Sequence, residues 1–594
     1  MAAVAEHAGP GHVTGPVRAE VPRRILFPAG VLFAGAVVWL WSLSRGKWSD
    51  ALIDSGREWI VPDALARGGM LYRDVVYWFG PLTPYVHAGF FRAFGSTFAT
   101  LVLAGTVAAA VILVALFFAL RRVTGRLEAA LWTALAVPAL VFMPHAGGPL
   151  LGMGYRIWHA AGFALLAITV ATRRSERPDT VSPLLAGAAC AAAALCRFEW
   201  GIAAAAAVIL AIGVRKGLSR TGWKAALAAA LAFAAVTGAV IGVFVAVAGR
   251  ESVIQDGHVL LTGLPEETRN FLVAFSGVRD WKRGLAELLY SAAMWAGALV
   301  LIEVLVLWNR DRRQAEKRLR VLAFLLAVLG AAALVGGASS AVLFSAAPLI
   351  SLAALLSGLR RPARPASAAL AAFGFLGLVL SYRRPFHIGD SAYVGPPLLF
   401  AFVAAAGLLR ARMEQLPETS LRRRFENATA AAMALLVACA IAGRAAHYAA
   451  WEGAPIEGTG GLLSARPELA GEIGSLARTI RRETAEGATL VVFPEGEILN
   501  YLSGRPNPIR HKLYIPGYLS ARNEAKVLSE LTRARPDVVV IWRRPTSEYG
   551  PSMFALDYGR SIGAWIDREY AMRPFQPPGA PPRTNARFLW GRRR

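Results

Sequence analysis

Four carboxylates stand in one short stretch, IDSGREWIVPDALARGGMLYRDVVYWFGPLTPY (residues 53–85): Asp54, Glu58, Asp63 and Asp74. Asp54 and Glu58 are four apart, so on a helix over 49–66 they share one face. A carboxylate held close to a membrane surface, partly out of water, can act as general base for a hydroxyl or amine. Trp48, Leu52, Trp59 and Val61 supply an apolar side, which predicts a helix lying in the membrane interface, the depth that Trp and Tyr favour. Gly68-Gly69 ends that helix. Beyond it Tyr72, Arg73, Asp74, Tyr77 and Trp78 add rings and charge before Pro81 and Pro84 open a new segment. The same spacing also fits a structural reading, in which Asp54 pairs with Arg57 and Asp50 caps the helix.

The elements around this stretch are set by composition. The chain has 594 residues, 55% of them hydrophobic, and a mean hydropathy of +0.45, which excludes a disordered or ordinary soluble protein. Apolar runs predict about thirteen spans, each near the bilayer-crossing length of roughly 20 residues. They fall at 25–43, 97–120, 127–143, 156–172, 181–196, 200–214, 225–248, 284–307, 321–337, 341–358, 366–382, 396–409 and 425–446. The net charge is +25, but its Arg/Lys clusters sit between alternate runs. That marks cytoplasmic loops by the positive-inside rule and argues against nucleic acid as a partner. Residues 1–24 are then a cytoplasmic tail, 25–446 the membrane part with its first outer loop at 44–96, and 447–594 a separate region outside. In that region TLVVF (489–493) and DVVVIW (537–542) read as strands, with amphipathic helices at 467–485, 522–534 and 558–569. The expected fold class is an α-helical polytopic membrane protein with a small C-terminal extracytoplasmic α/β domain whose sheet is partly parallel.

The stretch DSGREWIVPDALARGGMLYRDVVYWFGPLTPY resembles the first outer loop of the GT-C membrane glycosyltransferases, in the glycosyltransferase 39-like group of protein O-mannosyltransferases and lipid A aminoarabinose transferases. Their pattern is an acidic residue soon after the first span, a helix, then G-x-x-x-Y-R-D and a P-L segment. Asp54 matches the acidic position, and Tyr72, Arg73, Asp74, Pro81 and Leu82 match the rest. Asp54-Ser55 stands where many members have Asp-Glu, which weakens the case for a divalent metal ion, the one cofactor to weigh. The resemblance implies inverting transfer of a sugar from a polyprenyl-phosphate donor to a glycan, lipid or protein acceptor at the outer face of a bacterial inner membrane. Membrane lipids are the other partner. On this reading Asp54 is the general base, with Glu58 or Asp74 orienting it or binding the acceptor. Tyr72, Arg73, Tyr77 and Trp78 would meet the substrate.

A leaving phosphate calls for cationic donors, preferably arginine. Arg383, Arg384 and His387 in SYRRPFHIGDSAYVGPP (381–397), beside Asp390, are the candidates; anchoring at lipid headgroups is the plainer account. LCRFEWG (195–201) splits an uncharged stretch with Arg197 and Glu199, costly at membrane depth unless paired or lining a cavity. These two read either as substrate-binding residues or as a structural ion pair. Glu303 reads as paired with a loop arginine. In MPHAGGPLLGMGYRIWH, His145 and His159 make no metal site, and Tyr155 and Arg156 read either as substrate contacts or, more plainly, as interfacial anchors. Asp256 and His258 are minor candidates. Arg510, His511 and Tyr514 sit in a loop of the α/β region, where ligands commonly bind, though packing serves as well. Cys190, Cys196 and Cys439 form no CxxC pair, and nucleotide, hydrolase and zincin signatures are absent from the sequence. Two rival functions remain at this point. One is a polymerase or ligase using a lipid diphosphate-linked glycan; the other is a lipid or solute transporter, which predicts inverted repeats.

Overall fold

A computed structural model describes residues 23–256, 338–577 and 585–594, without 145–146, 153, 174–179, 218, 363–365, 382–394 and 415–418, and a few positions between 257 and 337. Its membrane part contains α1 (Arg23–Ser44), α4 (Phe98–Leu120), α5 (Arg126–Ala136, continued by a π-turn at Val137–Val141), α6 (Tyr155–Ala171), α7 (Val181–Cys196), α8 (Phe198–Lys216) and α9 (Arg220–Ala248). It continues with α10 (Ala338–Arg360), α11 (Ser367–Leu380), α12 (Gly395–Met413) and α13 (Thr419–Ala449). These helices coincide with all the expected spans except 284–307, which is described at only a few positions, and 321–337, which lies outside the described residues.

Among the described residues six helices are long and apolar enough to cross a membrane. α4 shows why. Leu101, Ala109, Ile112 and Leu116 are buried, while Leu103, Val107, Val111, Val114 and Phe118 form a large exposed stripe on the other side. A helix apolar on every face belongs in a core or in lipid. Between helices, small residues let backbones approach. A Cβ on Gly187 of α7 would lie 2.2 Å from the Ala229 carbonyl oxygen of α9, the close packing typical of membrane helices.

The first loop carries α2 (Gly56–Ala66) and α3 (Leu82–Phe94). Trp48, Leu52, Trp59 and Val61 are all buried in protein, which corrects the expectation of an apolar side laid against lipid. The cover comes from the end of the chain. There a hairpin, β1 (Ala454–Pro455) with β2 (Ser464–Ala465), precedes α14 (Pro467–Glu483), β3 (Leu490–Phe493), α15 (Ile498–Ser503), α16 (Glu524–Ala534), β4 (Val538–Trp542), α17 (Arg560–Glu569), β5 (Tyr570–Pro574) and β6 (Phe588–Arg593). The sheet order is β3-β4-β6-β5, parallel between β3 and β4 and antiparallel elsewhere.

Strand alternation divides this sheet between two cores. Val491, Phe493 and Val539 face Leu531, Ile562 and Trp565 of α16 and α17. Leu490, Val492, Val538 and Val540 face Ile473, Leu476 and Ile480 of α14, in a core that continues without a break to Trp59, Leu65 and Phe98. Trp59 meets Tyr501 edge-on at 5.2 Å. The first loop and one face of the sheet therefore bury their apolar surface in each other.

Candidate active site

The loop is built around its carboxylates. Asp50 Oδ1 accepts from the amides of Leu52 and Ile53, each at 2.8 Å, the cap anticipated from sequence. A π-turn at Ala51–Ser55 follows, so Asp54 lies on that turn and Glu58 on α2 proper; both are buried. The entry to α2 runs directly over α15. A Cβ on Gly56 would sit 2.4 Å from the Ile498 nitrogen, so only glycine permits this approach.

Behind Gly56 the charges are paired across the interface. Arg57 contacts Glu495 at 2.9 Å, and Arg544 reaches the other oxygen of the same fully buried carboxylate at 2.8 Å. Burial opposes the Arg57 charge, but Glu495 together with Tyr518, Tyr549 and Asp54 outweighs it, leaving the guanidinium firmly protonated. Two residues on, burial pushes Glu497 up to about 7 against the pull of Arg57.

On the membrane side Glu58 accepts from Arg156 Nη1 at 3.0 Å, with both side chains buried. Burial raises Glu58 to about 7, while Arg156 and Arg57 hold it from rising further. The carboxyl is thus poised between its two forms near neutrality. The Arg156 guanidinium lies 3.8 Å over the Phe79 ring and that of Arg197 5.3 Å from it. Arg197 is also paired with Glu199, across the break where α7 stops at Cys196 and α8 starts at Phe198. Tyr155 and Arg156 are buried in protein, because the first loop closes over the start of α6; this corrects their reading as interfacial anchors.

These groups surround a pocket lined from four directions: Arg57, Glu58 and Val61 of α2; Tyr77, Trp78 and Phe79; Thr83 and His87 of α3 with Arg156; and Glu497, His511, Lys512 and Tyr518 of the α/β region. Trp78 stacks flat on Tyr518, 3.7 Å between centroids. Burial pushes the Lys512 ammonium down to about 8. His87 is buried and its Nε2 has no partner among the described residues; burial holds the ring well below its usual range, hence neutral.

Of the residues singled out from sequence, Glu58, Tyr77, Trp78, Arg156 and His511 line this pocket. Asp54 lies one turn before Glu58, and Arg197 and Glu199 lie behind Phe79. Tyr72, Arg73 and Asp74 are not lining residues. Tyr72, at φ +67°, is buried and its hydroxyl donates to the Phe79 carbonyl at 2.6 Å, which closes the loop that carries Tyr77 and Trp78. Asp74 pairs with Arg73 at 2.8 Å and accepts from the Met70 amide; Arg73 holds its carboxyl below the usual range. Arg510 donates to the Tyr72 and Arg73 carbonyls, both at 2.7 Å, His511 contacts Glu530 at 2.9 Å, and Tyr514 is buried against Phe493. Asp256 meets Lys526 at 2.6 Å. Arg383, Arg384, His387 and Asp390 lie outside the described residues, as do His145, His258 and Glu303. Among the described residues no group of three or more His, Cys, Asp or Glu could hold a metal ion.

Sequence reasoning missed His87, Glu495, Glu497, Lys512 and Tyr518. The FPEGE segment had a usable signal: two glutamates just past the carboxyl end of β3, where α/β sheets place ligand contacts.

No family model matches the sequence, and no curated protein does. Solved structures do. ArnT from Cupriavidus metallidurans in the apo state superposes with a TM-score of 0.52 at 12% identity, over 96% of this chain and 98% of that one. The same protein bound to undecaprenyl phosphate gives 0.52 at 12%, over 95% and 97%. The archaeal oligosaccharyltransferase AglB from Archaeoglobus fulgidus gives 0.48 at 13%, over 87% and 70%. With end-to-end coverage of ArnT in both directions, this chain shares the overall fold of ArnT.

Proposed function

We propose that this chain is a membrane glycosyltransferase that moves a sugar from a polyprenyl-phosphate donor to a hydroxyl or amine acceptor at the outer face of the membrane, with inversion. The observation that carries the reading is the pocket itself. It sets a buried carboxyl, Glu58, between two arginines and beside stacked rings, under a fold whose solved example binds undecaprenyl phosphate.

The chemistry follows from the groups present. The acceptor oxygen or nitrogen attacks the anomeric carbon, the bond from that carbon to the phosphate oxygen breaks, and the acceptor proton goes to a carboxylate, which we assign to Asp54. Arg57, Arg156 and Lys512 supply positive charge for the leaving phosphate, joined by Arg383, Arg384 and His387. Tyr77 and Trp78 offer faces for the sugar, Glu58 sets the Arg156 guanidinium, and Arg197 with Glu199 buttresses Phe79. Asp74, Tyr72 and Arg73 act through the loop they close. In this reading residues 1–24 are cytoplasmic, 25–446 form the membrane part with about thirteen spans, and 447–594 lie outside. The energy is that of the lipid-phosphate sugar, and no step needs a metal.

The test is transfer of radiolabelled sugar from polyprenyl-phosphate donors to membrane acceptors by wild type and Asp54→Asn at matched expression. Loss of transfer with donor binding retained is expected. Undiminished transfer by the variant would remove Asp54 as the base and move that role to Glu58.

A further inference from the structure

One side chain lining the pocket has no part in the chemistry above. His511 is 4% exposed and lines the pocket with Arg57, Arg156 and Lys512. Its backbone is pinned on both sides. The Arg510 carbonyl accepts from the Val76 amide at 3.0 Å, and the Tyr514 hydroxyl donates to the His511 carbonyl at 2.7 Å. The ring is held by Glu530 of α16, whose Oε2 lies 2.9 Å from Nδ1.

Glu530 decides which ring nitrogen exchanges a proton. Burial opposes the Glu530 charge, but His511 and Arg510 outweigh it and hold the carboxyl below its usual range. An ionised carboxylate only accepts, so Nδ1 keeps its hydrogen and Nε2 is the nitrogen that gains and loses one. Nε2 has no partner among the described residues, and it is not closed off. His87 Nε2 and Glu497 Oε1, which also lack partners there, are enclosed in protein. The charged groups that share the pocket with His511 are Arg57, Glu58, Arg156, Glu497 and Lys512, and Arg510 stands 3.7 Å from the Glu530 carboxylate. Arginines can hold a phosphate but do not give up a proton. An imidazole gives and takes one near neutrality, and a carboxylate behind the ring keeps it oriented.

We propose that His511 is the general acid of this site, giving its Nε2 proton to the leaving phosphate, with Glu530 as the residue that positions the ring. As the bond from the anomeric carbon to the phosphate oxygen breaks, the electron pair stays on that oxygen and takes up the Nε2 proton. The lipid phosphate then leaves with one negative charge instead of two. Solvent returns a proton to Nε2, balancing the acceptor proton that Asp54 releases. The role rests on the glycosyltransferase reading.

Transfer in liposomes by the full chain tests this, from undecaprenyl phosphate carrying radiolabelled glucose, mannose, galactose or arabinose. His511→Ala and His511→Gln should each lower kcat about 100- to 10,000-fold. Both should keep a near-wild-type unfolding midpoint and still bind undecaprenyl phosphate, as read by tryptophan fluorescence. Added imidazole should restore transfer to His511→Ala in step with its protonated fraction. It should not help His511→Gln, where the amide fills the place. Glu530→Gln should lower kcat at an unchanged KM for the donor. Wild-type rates in His511→Gln would overturn the role and leave the transferase reading standing. So would rescue of folded His511→Ala that fails or that follows neutral imidazole. No transfer by wild type from any of these donors would overturn that reading, and the role with it.

Discussion

Gly56→Ala is a one-methyl perturbation aimed at the joint between the first loop and the α/β region. The added Cβ would stand 2.4 Å from the Ile498 nitrogen and 2.8 Å from the Glu497 carbonyl carbon. Both are backbone atoms, so no rotamer change relieves the clash. Restoring ordinary contact moves α2 and α15 apart by about 1 Å, an overpacking strain of about 1–3 kcal/mol. The same shift stretches the Arg57–Glu495 contact from 2.9 Å to about 3.9 Å, out of hydrogen-bond range. A displacement of that size beside reacting groups costs about 100-fold in rate. Gly89→Ala in α3 is the control, because its Cβ meets nothing within 4 Å. There the gain in helix propensity stabilises by at most about 1 kcal/mol. The assay is the thermal unfolding midpoint in detergent together with sugar transfer in liposomes. Gly56→Ala should lower the midpoint and depress transfer to about one hundredth, while Gly89→Ala matches wild type. Equal behaviour of the two variants would refute the close-approach argument.

Other perturbations test the buried charges. Arg156→Met leaves Glu58 buried without its partner and should destabilise by about 3–5 kcal/mol; adding Glu58→Gln should recover part of that loss in the same unfolding assay. The pH dependence has a definite sign. Glu58 and Glu497 titrate at about 7 in the fold against an ordinary 4.5, so between those values the native state binds more protons and stability falls as pH rises. The midpoint should therefore drop from pH 5 to pH 8, and Glu497→Gln should flatten the slope; a midpoint that rises over this range would contradict the assignment. Trp78→Leu removes the stack on Tyr518, an aromatic pair worth about 0.5–1.5 kcal/mol beyond its burial. It should weaken donor binding more than it lowers the midpoint, as read by KM for the donor.

Local pattern carries as far as the chemistry of neighbours along the chain. Apolar run length is the physical requirement for crossing a bilayer, so the helices α1 and α4 to α13 were legible as spans. Period-two and period-3.6 patterning likewise announced β3, β4, α14, α16 and α17, and the Asp50 cap and the Asp54/Glu58 spacing were readable because they involve contacts within one turn. β5 and β6 were missed because Tyr570–Pro574 and Phe588–Arg593 carry charge and proline; partners in the sheet, not intrinsic preference, make them strands. The apolar residues of the first loop marked a buried face, but composition alone does not distinguish lipid from protein as the cover. Only the tertiary structure decided that the cover is the α/β region. It also decided that Arg57 belongs to Glu495, 438 residues away, and Glu58 to Arg156, 98 residues away. Such pairs leave no mark at short range, because their geometry exists only once the last part of the chain closes over the first loop.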